Sequence, residues 1–98
     1  MRVRLKPGSL SRVRAWAAEL TARREEVLAT LRDEGVVVES VSLDGEELVY
    51  YLKAKSLRQA RAVYAASLHA IDAYHREFKE ATFAEETPLE LLVDFESF

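Results

Sequence analysis

The chain has 98 residues, 49% hydrophobic and 32% charged, with a formal net charge of -3 and no cysteine. That length supports one core, so residues 1–98 read as a single domain, and a core so small makes burial of a second apolar surface against another copy a natural expectation. The weakly acidic field disfavours phosphate backbones, so nucleic acid is not an expected partner, and the lack of cysteine removes disulfides, thiolate metal sites and thiol nucleophiles.

Met1 to Lys6 alternates, Val3 and Leu5 against Arg2, Arg4 and Lys6, as a half-buried strand does, and Pro7-Gly8 stops it. The same stretch lacks the apolar centre of a signal peptide, and no run approaches the roughly 20 apolar residues of a membrane span, so a cytoplasmic protein with no membrane partner is expected. Ser9 suits an N-cap, and Leu10, Val13, Ala17, Leu20, Val27 and Leu31 then recur at helical spacing up to Gly35, which predicts one long helix of roughly six or seven turns. Val36 to Leu43, the Asp44-Gly45 turn signal and Leu48 to Ala54 predict a central hairpin. Ser56-Leu57-Arg58-Gln59 has the form of a capping box and opens a second helix, with Leu57, Ala60, Val63, Tyr64 and Leu68 facing inward. After Pro88, Leu89 to Phe95 alternates as a fourth strand.

The order β-α-β-β-α-β is that of an α+β, ferredoxin-like unit, a four-stranded antiparallel sheet with helices on one face and the first and last strands adjacent. That adjacency would set Arg2, Arg4 and Lys6 opposite Glu90, Asp94 and Glu96, a favourable cross-strand match. The open sheet face, where Val49, Tyr51 and Leu92 would mix with charge, is the expected homodimer surface. Asparagine is absent and Gln59 is the only glutamine, which fits either a GC-rich genome or a heat-adapted source.

The stretches RLKPGSLSRVRAWAAEL, EGVVVESVSLDG, SLHAIDAYHREF and PLELLVDFE resemble a bacterial family of small proteins with no assigned activity, over nearly the whole chain. That family is similar to the dimeric α+β barrel superfamily, in which two ferredoxin-like subunits pair their sheets, and which includes sugar mutarotases, cofactor-free monooxygenases of aromatic polyketides and haem-degrading monooxygenases. The resemblance implies the fold and a homodimer, whereas chemistry does not follow from fold. No mutarotase motif aligns with these tyrosines and histidines, and the asparagine of the haem-degrading type is missing, so the resemblance carries over no catalytic residue.

Both histidines fall in SLHAIDAYHREF, residues 67–78. On a helix, His75 lies roughly 65 degrees from the centre of the face formed by Ile71, Tyr74 and Phe78, so it can reach inward as a general acid or base, with Asp72 orienting it from one turn earlier. The plainer readings are a boundary histidine and a helix N-cap. His69, Asp72 and His75 spread over roughly 120 degrees of helix, too wide an arc for one metal ion, so no metal or other cofactor is expected; haem on His75 is a third option. Arg24 falls near the middle of the Leu20, Val27, Leu31 stripe, where it must pair, snorkel or line a cavity for a polar or anionic ligand. Glu39 shares a strand face with Val37, Val41 and Leu43 and is the natural buried partner for Arg24 or His75. Tyr50 and Tyr74, like Tyr51 and Tyr64, supply hydroxyls that suit either packing or a ligand.

Two functions remain open at this point. One is a cofactor-independent enzyme, of isomerase or monooxygenase type, on a small polar or carbonyl metabolite: His75 and Asp72 would be catalytic, and Arg24, Glu39, Tyr50 and Tyr74 would bind the ligand. The other is a non-catalytic ligand-binding or structural homodimer in which the same groups form a buried polar network.

Overall fold

The alternation of the first six residues does become a strand, and it lies inside the sheet rather than at its edge. A computed structural model describes residues 1–97, in the order β1 (Arg2–Leu5), α1 (Leu10–Ala22), α2 (Arg24–Glu34), β2 (Val36–Asp44), β3 (Glu47–Ala54), α3 (Leu57–Ala65), α4 (Ala70–Thr82) and β4 (Phe83–Thr87). The strands form one four-stranded sheet, β2-β3-β1-β4, in which each neighbouring pair is antiparallel. Each helix pair therefore joins two strands with a third lying between them. This is an α+β fold with four helices where the periodicity predicts two.

The core forms where the helices cover one face of the sheet. Val3 and Leu5 of β1 and Leu48 of β3 pack with Val13 and Trp16 of α1 and Phe78 of α4. Burial of such side chains contributes about 1.5–3 kcal/mol each. The Trp16 and Phe78 rings stack with centroids 4.4 Å apart, and Phe83 meets Phe78 edge-on at 5.9 Å. No helix among the described residues is long and apolar enough to cross a membrane.

The single long first helix is corrected to two. At Arg23 the backbone leaves helical geometry (φ -105°, ψ 35°), its guanidinium binds both Glu26 carboxylate oxygens at 2.8 and 2.9 Å, and α2 opens with Glu25 and Glu26 in its first turn. Negative charge there complements the positive end of the helix dipole, which favours a fresh start at this point. The break resets the helical phase, so Arg24 is exposed. Ser9 precedes α1 but its side chain makes no capping hydrogen bond, whereas Gly35 closes α2 in the left-handed region at φ 71°, a conformation glycine adopts without a Cβ penalty.

The second helix is also two. Ser56 caps α3 as its motif predicts, accepting from the Gln59 amide, but the chain breaks between Ala66 and His69 and leaves Leu68 99% exposed rather than inward. Ser67 Oγ takes the His69 amide and donates to Asp72 at 2.5 Å, a local alternative to helical bonding.

The fourth strand is corrected from Leu89–Phe95 to Phe83–Thr87, ahead of Pro88. Its sequence, FAEET, lacks alternation and enters the sheet by pairing with β1; Pro88, without an N–H, then ends it. The charge match across β1 accordingly uses other partners: Arg4 pairs with Glu85 at 3.2 Å and Arg2 with Glu47 at 2.6 Å, while Asp94 and Glu96 both pair with Lys53.

The hairpin forms as expected, with Gly45 at φ 61° in the turn. Its register carries one irregularity: Val36 opposes Ala54 and Val38 opposes Lys53, which extrudes Val37 to 64% exposure. A bulge of this kind changes the side on which the following residues fall. Val36, Glu39, Val41 and Leu43 therefore share the helix-facing side, and Val37 leaves the face predicted for it.

Candidate functional site

His75, the residue expected to carry acid-base chemistry, is held as a packing group. Its Nδ1 accepts a hydrogen bond from Trp16 Nε1 at 3.2 Å, and its ring lies 5.6 Å from Trp16, 6.1 Å from Phe78 and edge-on to Tyr64 at 6.3 Å. With Nδ1 accepting, the proton of the neutral ring resides on Nε2. Burial, with Lys79 and Arg76 adding to it, pushes its pKa down to about 4. The imidazole is neutral at physiological pH, with Nδ1 engaged by Trp16 and the ring packed among aromatic side chains.

Asp72 does not orient His75. It sits in the first turn of α4, buried, and its carboxylate accepts from Ser67 Oγ. His69 stands at the N-cap position of α4 and reaches across to Asp33 of α2, Nε2 to Oδ2, at 2.7 Å. The first link ties the α3–α4 connection to α4, and the second ties it to the end of α2. Between them lies a groove of about 390 Å³, lined by Thr30, Glu34, Val63, Ser67, His69 and Asp72 among others.

Glu34 is the group in this groove that the charge pattern hides. It is the last residue of α2 and is only 9% exposed. Desolvation, followed by the charges of Asp72, Glu39 and Asp33, pushes its pKa up to about 7, with His69 pulling the other way. Its place beside the negative end of the helix dipole acts in the same direction. It falls in the run Arg32-Asp33-Glu34, which reads as solvated surface, but within α2 the spacing Val27, Leu31, Glu34 sets it on the apolar stripe and could have revealed it.

Glu39 lies on the helix-facing side of β2, opposite Leu52. Although much of the residue is exposed, its carboxyl sits under enough protein that desolvation raises its pKa; Asp72 adds to this and Lys79 opposes it. Tyr50 and Tyr64 point two buried hydroxyls into the same region, and neither has a hydrogen-bond partner. Burial, with nearby negative charge, also raises the pKa of both phenols. They are donors held protonated and without an acceptor, an arrangement that costs stability unless something fills it.

The remaining candidates lie elsewhere. Arg24 is exposed at the first position of α2 and lines neither the core nor this groove. Tyr74 packs against the core with the Arg23 guanidinium 5.9 Å from its ring centre. The fold thus gathers Asp72, Glu39 and Tyr50 about one region, adds Glu34, Ser67 and Tyr64 to it, and leaves Arg24 and Tyr74 outside. Such a site can hold one proton among carboxyls of unlike surroundings. No curated protein and no solved structure matches the chain. The model of a family of unknown function, DUF6176, matches residues 1–98.

Proposed function

The chain belongs to DUF6176, a family whose description assigns no chemistry, and from the geometry we propose that it binds a small polar or carbonyl metabolite in the groove between α2 and α4 and moves a proton on it. Glu34 is the acid or base, Asp72 the Ser67-bound carboxyl on the same groove wall, and His75 a positioning residue that holds Trp16. The observation that carries this reading is the pairing of two buried carboxyls, one hydrogen-bonded by Ser67 and the other not, at the wall of an open groove. A general acid works best with a pKa near the working pH, and Glu34 has one. Proton-transfer isomerisation fits these residues better than oxygenation, because the carboxyls and the Ser67 hydroxyl that line the groove supply protons and hydrogen bonds.

The interlaced strand order supports a ferredoxin-like reading of the fold, and the sheet side away from the helices, where Val38 and Tyr51 are 39% and 46% exposed, supports a homodimer built through that side. A non-catalytic structural homodimer is the second reading, favoured by that exposed surface alone.

A library of small hydroxy, keto and aldehyde compounds, followed by amide chemical shifts, separates the two. Binding that perturbs Glu34, Ser67 and Asp72, with turnover falling at least about 100-fold in Glu34→Gln, is the expected result. A library that leaves those amides unmoved leaves only the structural reading.

A further inference from the structure

The α2–α4 groove holds one buried polar side chain that nothing in the chain answers. Asp33 takes His69 at 2.7 Å and Asp72 takes the Ser67 hydroxyl, whereas Glu34, only 9% exposed, lines the same groove outside both links. Among the described residues the sealed side-chain oxygens without a partner are those of Tyr50 and Tyr64. The unpaired Glu34 carboxyl is therefore not sealed, and the space it opens on is the groove. The titratable groups that face it are Asp33 on its own helix, Glu39 on β2, Tyr64 on α3, and His69 and Asp72 at the start of α4. Three of these are carboxyls, and the one group able to carry positive charge, His69, is already spent on Asp33. Neither lysine nor arginine lines the groove among the described residues.

We propose that the metabolite of this groove is a primary amine, whose ammonium is received by Glu34 and whose carbon frame lies along Val63 and Ala66. This rests on the proton-transfer reading of the same groove and names its substrate class. An anion entering here meets the carboxyl charges that already oppose ionisation of Glu34, and a neutral ligand leaves them unanswered; a cation relieves them. Val63 and Ala66 supply the apolar part of the lining, which suits an alkyl frame behind the charge. The arriving ammonium also favours the ionised form of Glu34, so binding releases a proton near neutral pH and leaves Glu34 in the form that a general base requires.

The test uses three probes on one four-carbon frame, n-butylamine, 1-butanol and butyrate, titrated into the full chain and into Glu34→Gln at pH 6 and pH 8 with amide chemical shifts as the readout. Near-ultraviolet dichroism at Trp16 confirms that the variant is folded. The expected result is that n-butylamine, charged at both pH values, moves the Glu34, Ser67 and Asp72 amides with an affinity at least about 10-fold above that of 1-butanol at pH 8, while butyrate leaves them still. Protons compete with the ammonium for Glu34, so amine binding should weaken by about 10-fold from pH 8 to pH 6. In Glu34→Gln it should fall at least about 5-fold at pH 8 and lose most of its dependence on pH. Equal binding of 1-butanol or butyrate overturns the cationic class and leaves the groove as a binding site, and amine binding unchanged in Glu34→Gln overturns Glu34 as its receiver. Amides moved by a hydroxy, keto or aldehyde compound of the library but not by the amine overturn this inference alone, and amides moved by no compound overturn the proton-transfer reading with it.

Discussion

Glu34 and His75 contribute to stability in opposite senses across nearly the same pH range. Glu34 is held near pH 7 when folded, against 4.5 as the ordinary value, so between those limits the folded state binds more protons and its contribution to stability falls as pH rises. His75 is held near 4 against 6.5, so the unfolded state binds more protons and the contribution of His75 rises with pH, being lost on acidification through that window. Glu34→Gln, which resembles the protonated acid, removes one of the two opposed slopes. It should stabilise the protein above pH 7 by about 1–2 kcal/mol, once the open side of the groove is allowed for, and change it little at pH 4.5. Urea unfolding at the two pH values checks this, and an equal effect at both would count against a shifted Glu34. The orphaned phenols make a second case. Tyr50→Phe and Tyr64→Phe each delete a buried hydroxyl that has no partner, so in the ligand-free protein each should be neutral or stabilising by up to about 1 kcal/mol. A loss above that in thermal unfolding would reveal a partner for the hydroxyl.

Single residues at the joints decide where elements begin and end. Ser67 serves both the His69 amide and the buried Asp72 carboxylate, so Ser67→Ala should cost about 1–3 kcal/mol by leaving Asp72 without its donor. The bulge in β2 gives a sharper contrast between neighbours. Val36 is 8% exposed and Val37 64%, so Val36→Ser should cost about 2–3 kcal/mol and Val37→Ser less than about 0.5; similar costs in denaturant melts would mean the register is wrong. These joints also mark what the sequence could not disclose. The hairpin and the α3 cap are written in local chemistry, Asp44-Gly45 and the Ser56 hydroxyl on the Gln59 amide, and are legible as such. The break at Arg23 is a phase change that periodicity carries straight through, and the strand at Phe83 depends on a pairing partner, β1, distant in the chain.

At the scale of the whole molecule, the α+β class and the adjacency of the first and last strands followed from the order of the patterns. The identity of the last strand did not, because a charged segment was drawn into the sheet by β1 while the better strand pattern stayed outside it. The candidate site was legible in part. Glu39 is legible as a carboxylate on a core-facing strand side, Asp72 as a carboxylate one turn from His75, and Tyr50 as a hydroxyl on the hairpin, whereas periodicity carries Arg24 inward through a break and hides Glu34 in the charged run Arg32-Asp33-Glu34. The central claim is that Glu34 titrates near neutral pH at the wall of the α2–α4 groove. It is tested most directly by following the Glu34 side-chain carboxyl carbon by NMR from pH 4 to 9, assigned by comparison with Glu34→Gln. A midpoint near 7 is the expected result; a midpoint in the ordinary carboxylate range, below about 5, would contradict the account and remove the proton-transfer role with it.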